Sequence, residues 1–554
     1  MSTSVEAWRD LARHASKGRE PEALAVTLAE QVSIDPLCTT RPPGAVTAGR
    51  QGAWSARQRI SPAASAAVQA LRERGVVPVH AAASPVDVSA LASLSGEWIV
   101  EVGSNVEDVR AALPASATVT LVVDPIGAWA RAGGTMTSLA HIWDAVAVVV
   151  QQGARLGGAS SWVADSGAEM PTRIAVAVLS LVEGLRALEA RGAPLRTVET
   201  EVEISLVGDV VLDLAAVRAI RRLADRVLRA CGVESGPEVH ASFPLSALSA
   251  VDTTTNLLRL SAAGFAGAAG GADLITLPPH DAGVGEPSFA ARRISANLHL
   301  LLAREAMLDR VVDPAAGAFA IEQATDALEK AAWREIQAFE SAGGLEGVLR
   351  DGTLRARVAE QAARRDDAVR RRRTLRIGVS QFADPSSVDT AESTPAIDTS
   401  AVGALLEPIA PFDIVRVDEP WEALRTRANG RGVLLIEIGP VAHHKARSDF
   451  AKDLFAAGGF SVLSTGAVSD PDAASVAFAT QRAKVACVCG NDSDYERWIP
   501  TLAPQLRAAG AKSVIVAGRW PADPERWRAA GVSSVVHLGM DFVEALSQVL
   551  EDDA

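Results

Sequence analysis

Between residues 70 and 300, short uninterrupted apolar runs alternate with longer stretches of helical period. The runs are "GVVPVHAAA", "EWIVEVGS", "TVTLVVDPIG", "SSWVADSG", "VEISLVGD", "PEVHASFP" and "ADLITLPP". Parallel strands covered on both faces read as near-continuous apolar segments, and the helices between them supply the crossovers. The rhythm predicts a (β/α)8 TIM barrel with these seven runs as strands and the eighth unassigned. From residue 431 the alternation returns in a shorter form, as "GVLLIEIG", "FSVLST", "KVACVCG", "SVIVAG" and "SSVVHLG", each followed by a helical pattern. This predicts a small doubly wound, flavodoxin-like (Rossmann-like) α/β domain, with any ligand beyond the carboxyl ends of its strands.

The pattern divides the chain into an N-terminal arm (1–60), the barrel (61–345), an interdomain linker (346–430) and the small domain (431–554). In the arm, Val5, Trp8, Leu11 and Ala12 share one face of a helix, which suits docking on a partner or on its own domain. The linker joins the basic run "ARRDDAVRRRRTLR" to the polar stretch "FADPSSVDTAESTPAIDTS". Its arginines are expected as a solvated helix end or a rim contact.

Composition narrows the function classes. A chain of 554 residues, 48% hydrophobic and 22% charged, has material for more than one core. Its net charge of −13 disfavours a nucleic-acid or anionic-membrane surface, since either needs a basic face to displace counterions. No run of eighteen uncharged apolar residues occurs, and the first thirty residues lack the pattern of a leader, so a cytoplasmic protein is expected. The four cysteines, Cys38, Cys231, Cys487 and Cys489, are expected as reduced thiols, with Cys487 and Cys489 on opposite strand faces and neither zinc nor a disulfide between them.

The stretch "IEIGPVAHHKARSDFAKDLFAAGGF" places His443 and His444 where a strand passes through a loop into a helix. No GxGxxG or GxxxxGK[ST] follows a strand, which weakens a dinucleotide or nucleoside triphosphate site. His80 and His240 lie within barrel strands and are expected as core or barrel-mouth histidines. His280 and Asp281 end a barrel strand on the face where barrel enzymes hold their sites, and structural fixing of the loop is the favoured reading. Asp252, Asn256 and Arg259, spaced four and then three apart, are expected on one face of a capped helix.

Three segments carry a family resemblance. "DRVVDPAAGAFAIEQATDALEKAAWREIQAFESAGGLEGVL" (309–348), "DTTTNLLRLSAAGFAGAAGGADLITLPPHDA" (252–282) and "WSARQ" (54–58) resemble segments of the adenosylcobalamin-dependent acyl-CoA mutases. The likeness is greatest to the small (beta) subunits of methylmalonyl-CoA mutase, and it runs over nearly the whole chain.

The resemblance implies a heterodimer whose large subunit carries adenosylcobalamin. That subunit would interconvert (R)-methylmalonyl-CoA and succinyl-CoA, within propionate metabolism, by homolysis of the cobalt–carbon bond, hydrogen abstraction and 1,2-migration of the thioester group. In the family, a DxHxxG loop supplies the histidine beneath cobalt. Here it falls on "VAHHKA", with His443 matching the histidine, Val441 in place of the aspartate and Ala446 in place of the glycine. Val441 cannot accept a hydrogen bond, so His443 is expected to lack its orienting carboxylate and His444 to face solvent. "AGRW" replaces a Gly-Gly after the fourth strand. Tyr495 is the single tyrosine and lies in the small domain, so the barrel lacks the family's substrate-stacking tyrosine, and Asp165 falls near the thioester-binding histidine. The implied reading is a non-catalytic subunit with no metal, no catalytic residues and no cofactor of its own, His443 being a vestige. Two alternatives remain: an active mutase for a related acyl-CoA such as isobutyryl-CoA, and a transient regulatory or chaperone-like partner of a mutase.

Overall fold

The computed structural model of the protein describes residues 2–40, 42, 49–50, 52–60, 65–82, 90–135, 137–384, 406–481 and 483–552, without the side chains of 2–3, 65–66, 80–82 and 90. The chain forms two compact units: residues 1–247, 257–362 and 395–415 in the first, and 248–256, 363–394 and 416–554 in the second.

The first unit opens with a helix, Ser2–Ala15, whose Leu11 is exposed, and a hairpin of β1 (Val26–Ala29) and β2 (Val32–Ile34). A closed parallel barrel follows, of β3 (Ser55–Arg59), β4 (Val76–Ala82), β5 (Gly96–Val102), β6 (Ala117–Val123), β7 (Arg155–Ala159), β8 (Thr200–Ser205), β9 (Glu238–Ser242) and β10 (Leu274–Thr276). The TIM-like barrel is therefore present, and six of the seven runs read as strands are strands. The remaining run, "SSWVADSG", is not one: Ser161–Asp165 is a short helix, and the strand is the preceding "RLGGA". Two glycines hid it. A Cβ on Gly158 would lie 2.3 Å from the carbonyl oxygen of Ala177, so the helix packed on this strand excludes the β-branched residues that mark a strand in sequence. The unassigned eighth strand is "SARQR", within the stretch 1–60 read as an arm.

The second unit is a five-stranded parallel sheet with helices on both faces. Its strands are β11 (Gly432–Ile438), β12 (Ser461–Val468), β13 (Val485–Cys489), β14 (Ser513–Ala517) and β15 (Ser534–Val536), in the order β12-β11-β13-β14-β15. The central strands β13 and β14 are buried at every position, as their uninterrupted apolar sequences require. One cluster containing Trp421, Phe455 and Phe542 packs on one face, and another containing Tyr495, Trp498 and Trp527 on the other. Cys487 and Cys489, expected on opposite faces, both belong to the first cluster, because side chains two apart on a strand share a face. All four cysteines are free thiols.

Within 346–430, read as a linker, the described residues include helices Thr353–Arg370 and Glu419–Ala428, while most of the polar stretch lies outside the described residues. Arg370 pairs with Asp541 at 2.7 Å and Arg371 with Asp367 at 2.6 Å, and Arg372 and Arg373 meet Asp453 and Asp367. The four consecutive arginines thus pair with carboxylates of their own unit. Among the described residues no helix is long and apolar enough to cross a membrane.

Candidate functional site

Two places answer to the sequence-derived site residues: the interior of the barrel, and the carboxyl edge of the small sheet.

Ordinary TIM barrels fill their interior with layers of branched apolar side chains. This one carries charge there. Arg57 on β3 donates from Nη1 to Oε1 of Glu201 on β8 at 2.6 Å, with both side chains buried. Strands β9 and β10 separate those two around the wall, so the contact crosses the interior. His240 on β9 joins it, with Nδ1 3.0 Å from Glu201 Oε1 and Nε2 2.8 Å from the Thr276 hydroxyl. Burial raises the Glu201 pKa, but Arg57 and His240 outweigh it and hold this carboxyl well below its usual range. Higher in the barrel, Arg59 pairs with Glu101 at 2.7 Å, again across an intervening strand.

Glu203 accepts from the backbone N–H groups of Ser160 at 2.7 Å and Ser161 at 2.9 Å, and from the Ser242 hydroxyl. These bonds hold the turn that begins helix Ser161–Asp165 directly after β7. Asp165, at the end of that helix, accepts from the backbone N–H of Ser246 at 3.4 Å, and burial raises its pKa. Its backbone carbonyl accepts from Val415 at 2.8 Å, and Phe412 stacks edge-on against Trp162 at 4.9 Å. Asp165 is thus tied to neighbouring backbone.

The other residues singled out in the sequence lie as follows. Asp281 fixes its loop by accepting from the backbone of Ser288 at 3.0 Å, and His280 stands beside it. Asn256 clamps the backbone of Ser249 with bonds of 2.9 and 2.8 Å. Asp252, expected on the same helix face, instead precedes helix Asn256–Ala269 and accepts from the backbone of Thr255 at 3.2 Å; Arg259 lies within the helix. His80 is on β4, and its side chain lies outside the described residues.

At the small sheet, "VAHHKA" is no loop. Helix Val441–Ala457 begins there, one residue after Pro440 follows Gly439, and Val441, His443 and Ala446 occupy its first two turns. Two expectations fail. His444 does not face solvent: it is 4% exposed, with Nδ1 3.2 Å from the carbonyl of Gly439. Nor does His443 lack an orienting carboxylate. Asp494, in the first turn of helix Asp492–Ala508, places Oδ2 2.7 Å from His443 Nδ1, leaving Nε2 turned away on a side chain 40% exposed. Gly439 makes the pair possible, since a Cβ there would lie 3.0 Å from Asp494 Oδ2 and its φ of +79° is costly for any other residue. The partner came from the unit of β13, which adjoins β11 in the sheet but lies two units on along the chain, fifty-one residues away, where no local motif could show it.

Behind this pair, Tyr495 is buried between the ends of β13 and β14. Its hydroxyl accepts from the N–H of Gly490 at 2.9 Å and donates to the carbonyl of Ala517 at 2.7 Å. Among the described residues no cluster of three or more His, Cys, Asp or Glu side chains is arranged to hold a metal ion.

The residues missed in sequence were the interior ions Arg57, Glu201 and Glu203 and the more exposed pair Arg59 and Glu101. A signal existed: in "SARQR" and "TEVEIS", charges recur at every second position of segments that must be covered on both faces.

Comparison with known proteins agrees with this architecture. The family model described as methylmalonyl-CoA mutase matches residues 154–433. The methylmalonyl-CoA mutase small subunit of Streptomyces virginiae is 32% identical over 453 residues, covering 78% of this chain and 70% of its own length. A "Probable methylmalonyl-CoA mutase small subunit" of Mycobacterium tuberculosis is 34% identical over 399 residues, covering 70% and 61%. The methylmalonyl-CoA mutase small subunit of Porphyromonas gingivalis is 27% identical over 344 residues, covering 60% and 55%. The chain therefore spans between 55% and 70% of the length of these relatives. On the family match and the identity to these proteins, the chain belongs to the methylmalonyl-CoA mutase family.

Proposed function

We propose that the chain is the small, non-catalytic subunit of a heterodimeric methylmalonyl-CoA mutase, contributing fold and interface to a large subunit that holds adenosylcobalamin and the acyl-CoA. The observation that carries this reading is the Arg57–Glu201–His240 cluster. A substrate threaded into the barrel would have to displace buried ion pairs and leave their charges uncompensated. The chain also has one tyrosine, in the small unit, so the barrel holds no tyrosine to stack on a substrate.

In the small unit, the strand order β12-β11-β13-β14-β15 supports a flavodoxin-like, cobalamin-binding-type domain. Its residues do not fit the cofactor. The "VAHHKA" segment is wound into a helix, and Tyr495 takes the space at the ends of β13 and β14 where a nucleotide tail would enter. Loss of site residues with retention of fold is expected when packing serves an assembly and the pocket serves nothing. The cytoplasm is the compartment that reduced thiols favour.

The test is purification of the chain alone and with a mutase large subunit encoded beside it. A stable 1:1 complex whose turnover disappears without this chain, together with a colourless isolated chain, is the expected result. Cobalamin absorbance in the isolated chain would favour an active mutase for a related acyl-CoA. Full activity of the large subunit alone would favour a transient regulator.

A further inference from the structure

In an open α/β sheet, ligands lie in the crevice beyond the carboxyl ends of the strands, where backbone groups run out of ladder partners. Gly490 directly follows β13 and Gly518 directly follows β14, and the ring of Tyr495 lies between them. A Cβ on Gly518 would meet one edge of the ring first, at 3.1 Å, whereas a Cβ on Gly490 would strike Ile438 at 2.4 Å before reaching the other edge at 3.3 Å. Trp527 meets the ring edge-on at 5.9 Å. Arg447 covers its face at 4.9 Å while donating to the Gly490 carbonyl at 2.8 Å. The hydroxyl satisfies one strand-end N–H and one strand-end carbonyl together.

Each of these contacts is one that a flat aromatic ligand with a donor–acceptor edge would make. The ring arrives instead from the first turn of the next helix, at the residue after Asp494. We propose that Tyr495 is the tethered occupant of an aromatic-ligand slot. By filling that slot, rather than through the changes at Val441 and Ala446, it closes the domain to the heterocyclic tail of a corrinoid. The inference rests on the reading that this chain carries no cofactor of its own. It assigns that absence to one side chain, and it names the ligand class that the slot takes when emptied: planar aromatics bearing a ring N–H or hydroxyl, such as benzimidazole and phenol.

The full chain carrying Tyr495→Ala tests this, with Tyr495→Phe and the unaltered protein beside it. Melting temperature is followed against benzimidazole and phenol, and binding is titrated by calorimetry. The expected result is saturable binding, with a rise of several degrees, in Tyr495→Ala alone, because a ligand that binds only the folded state raises its stability. A folded Tyr495→Ala protein indifferent to both compounds overturns the proposal. Should that variant not fold, Tyr495→Val keeps part of the packing and is read the same way, with its indifference equally decisive. Hydroxocobalamin is titrated separately into the unaltered protein. Binding there overturns the cofactor-free reading itself, whereas failure of the aromatic titrations removes only the role given to Tyr495.

Discussion

Arg57 Nη1 donates to Glu201 Oε1 across 2.6 Å of the barrel interior, and neither side chain reaches solvent appreciably. Breaking a buried pair from one side leaves a charge with no compensation, which costs about 3–5 kcal/mol. Glu201→Gln and Arg57→Met should each lower stability by roughly that amount in urea unfolding. The double variant should be more stable than the sum of the two losses predicts, since the members of a pair couple. Additive losses would show that the two residues do not act together.

A second prediction concerns acid. His299 is 3% exposed and accepts from Trp54 Nε1 at 3.1 Å, and burial lowers its pKa from 6.5 to about 4. The unfolded ring takes up a proton that the folded ring refuses. The stabilisation is therefore full above the unfolded value of 6.5 and is lost as pH falls from there toward 4. The loss amounts to roughly 3 kcal/mol, and His299→Gln, which still offers Trp54 an acceptor, should flatten that acid limb in unfolding curves taken between pH 7 and about pH 4.

Rebuilding the motif should not rebuild the site. The double substitution V441D/A446G should give neither cobalamin absorbance in the isolated chain nor turnover, because Tyr495 still fills the strand ends and the barrel still has no tyrosine. Its cost should be modest, about 1 kcal/mol from glycine in a helix interior. A cobalamin spectrum in that variant would show that the two motif positions alone had closed the domain.

The pairing of His443 with Asp494 fixes a proton. With Nδ1 facing a carboxylate at 2.7 Å, the neutral ring should carry hydrogen on Nδ1 and leave Nε2 bare. Asp494→Ala should move the ring toward the Nε2–H tautomer, read from the two ring nitrogen shifts by NMR. Because His443 is partly exposed, stability should change by less than about 1 kcal/mol. An unchanged tautomer would mean that Asp494 does not orient the ring.

The sequence by itself determined what depends on periodicity and composition. Strands such as β13 and β14 were legible because both faces of each are covered, which forces near-continuous apolar runs, and the edge strand β12 was legible from its apolar run "FSVLST". The family was legible in whole segments such as 309–348. What hides in sequence is whatever depends on neighbours brought together by folding. Strand β7 escaped notice because a packed helix requires glycine at Gly158, and β3 because its alternate charges point across the barrel interior. The histidine pair shows the same division. The family resemblance singled out His443 with Val441 and Ala446, and His444 was read as facing solvent. Only the tertiary structure buried His444, supplied Asp494 from the neighbouring β-α unit, and filled the adjoining slot with Tyr495. A hydrogen bond between residues fifty-one apart has no local signature, because it is set by the crossover that lays one helix start beside another.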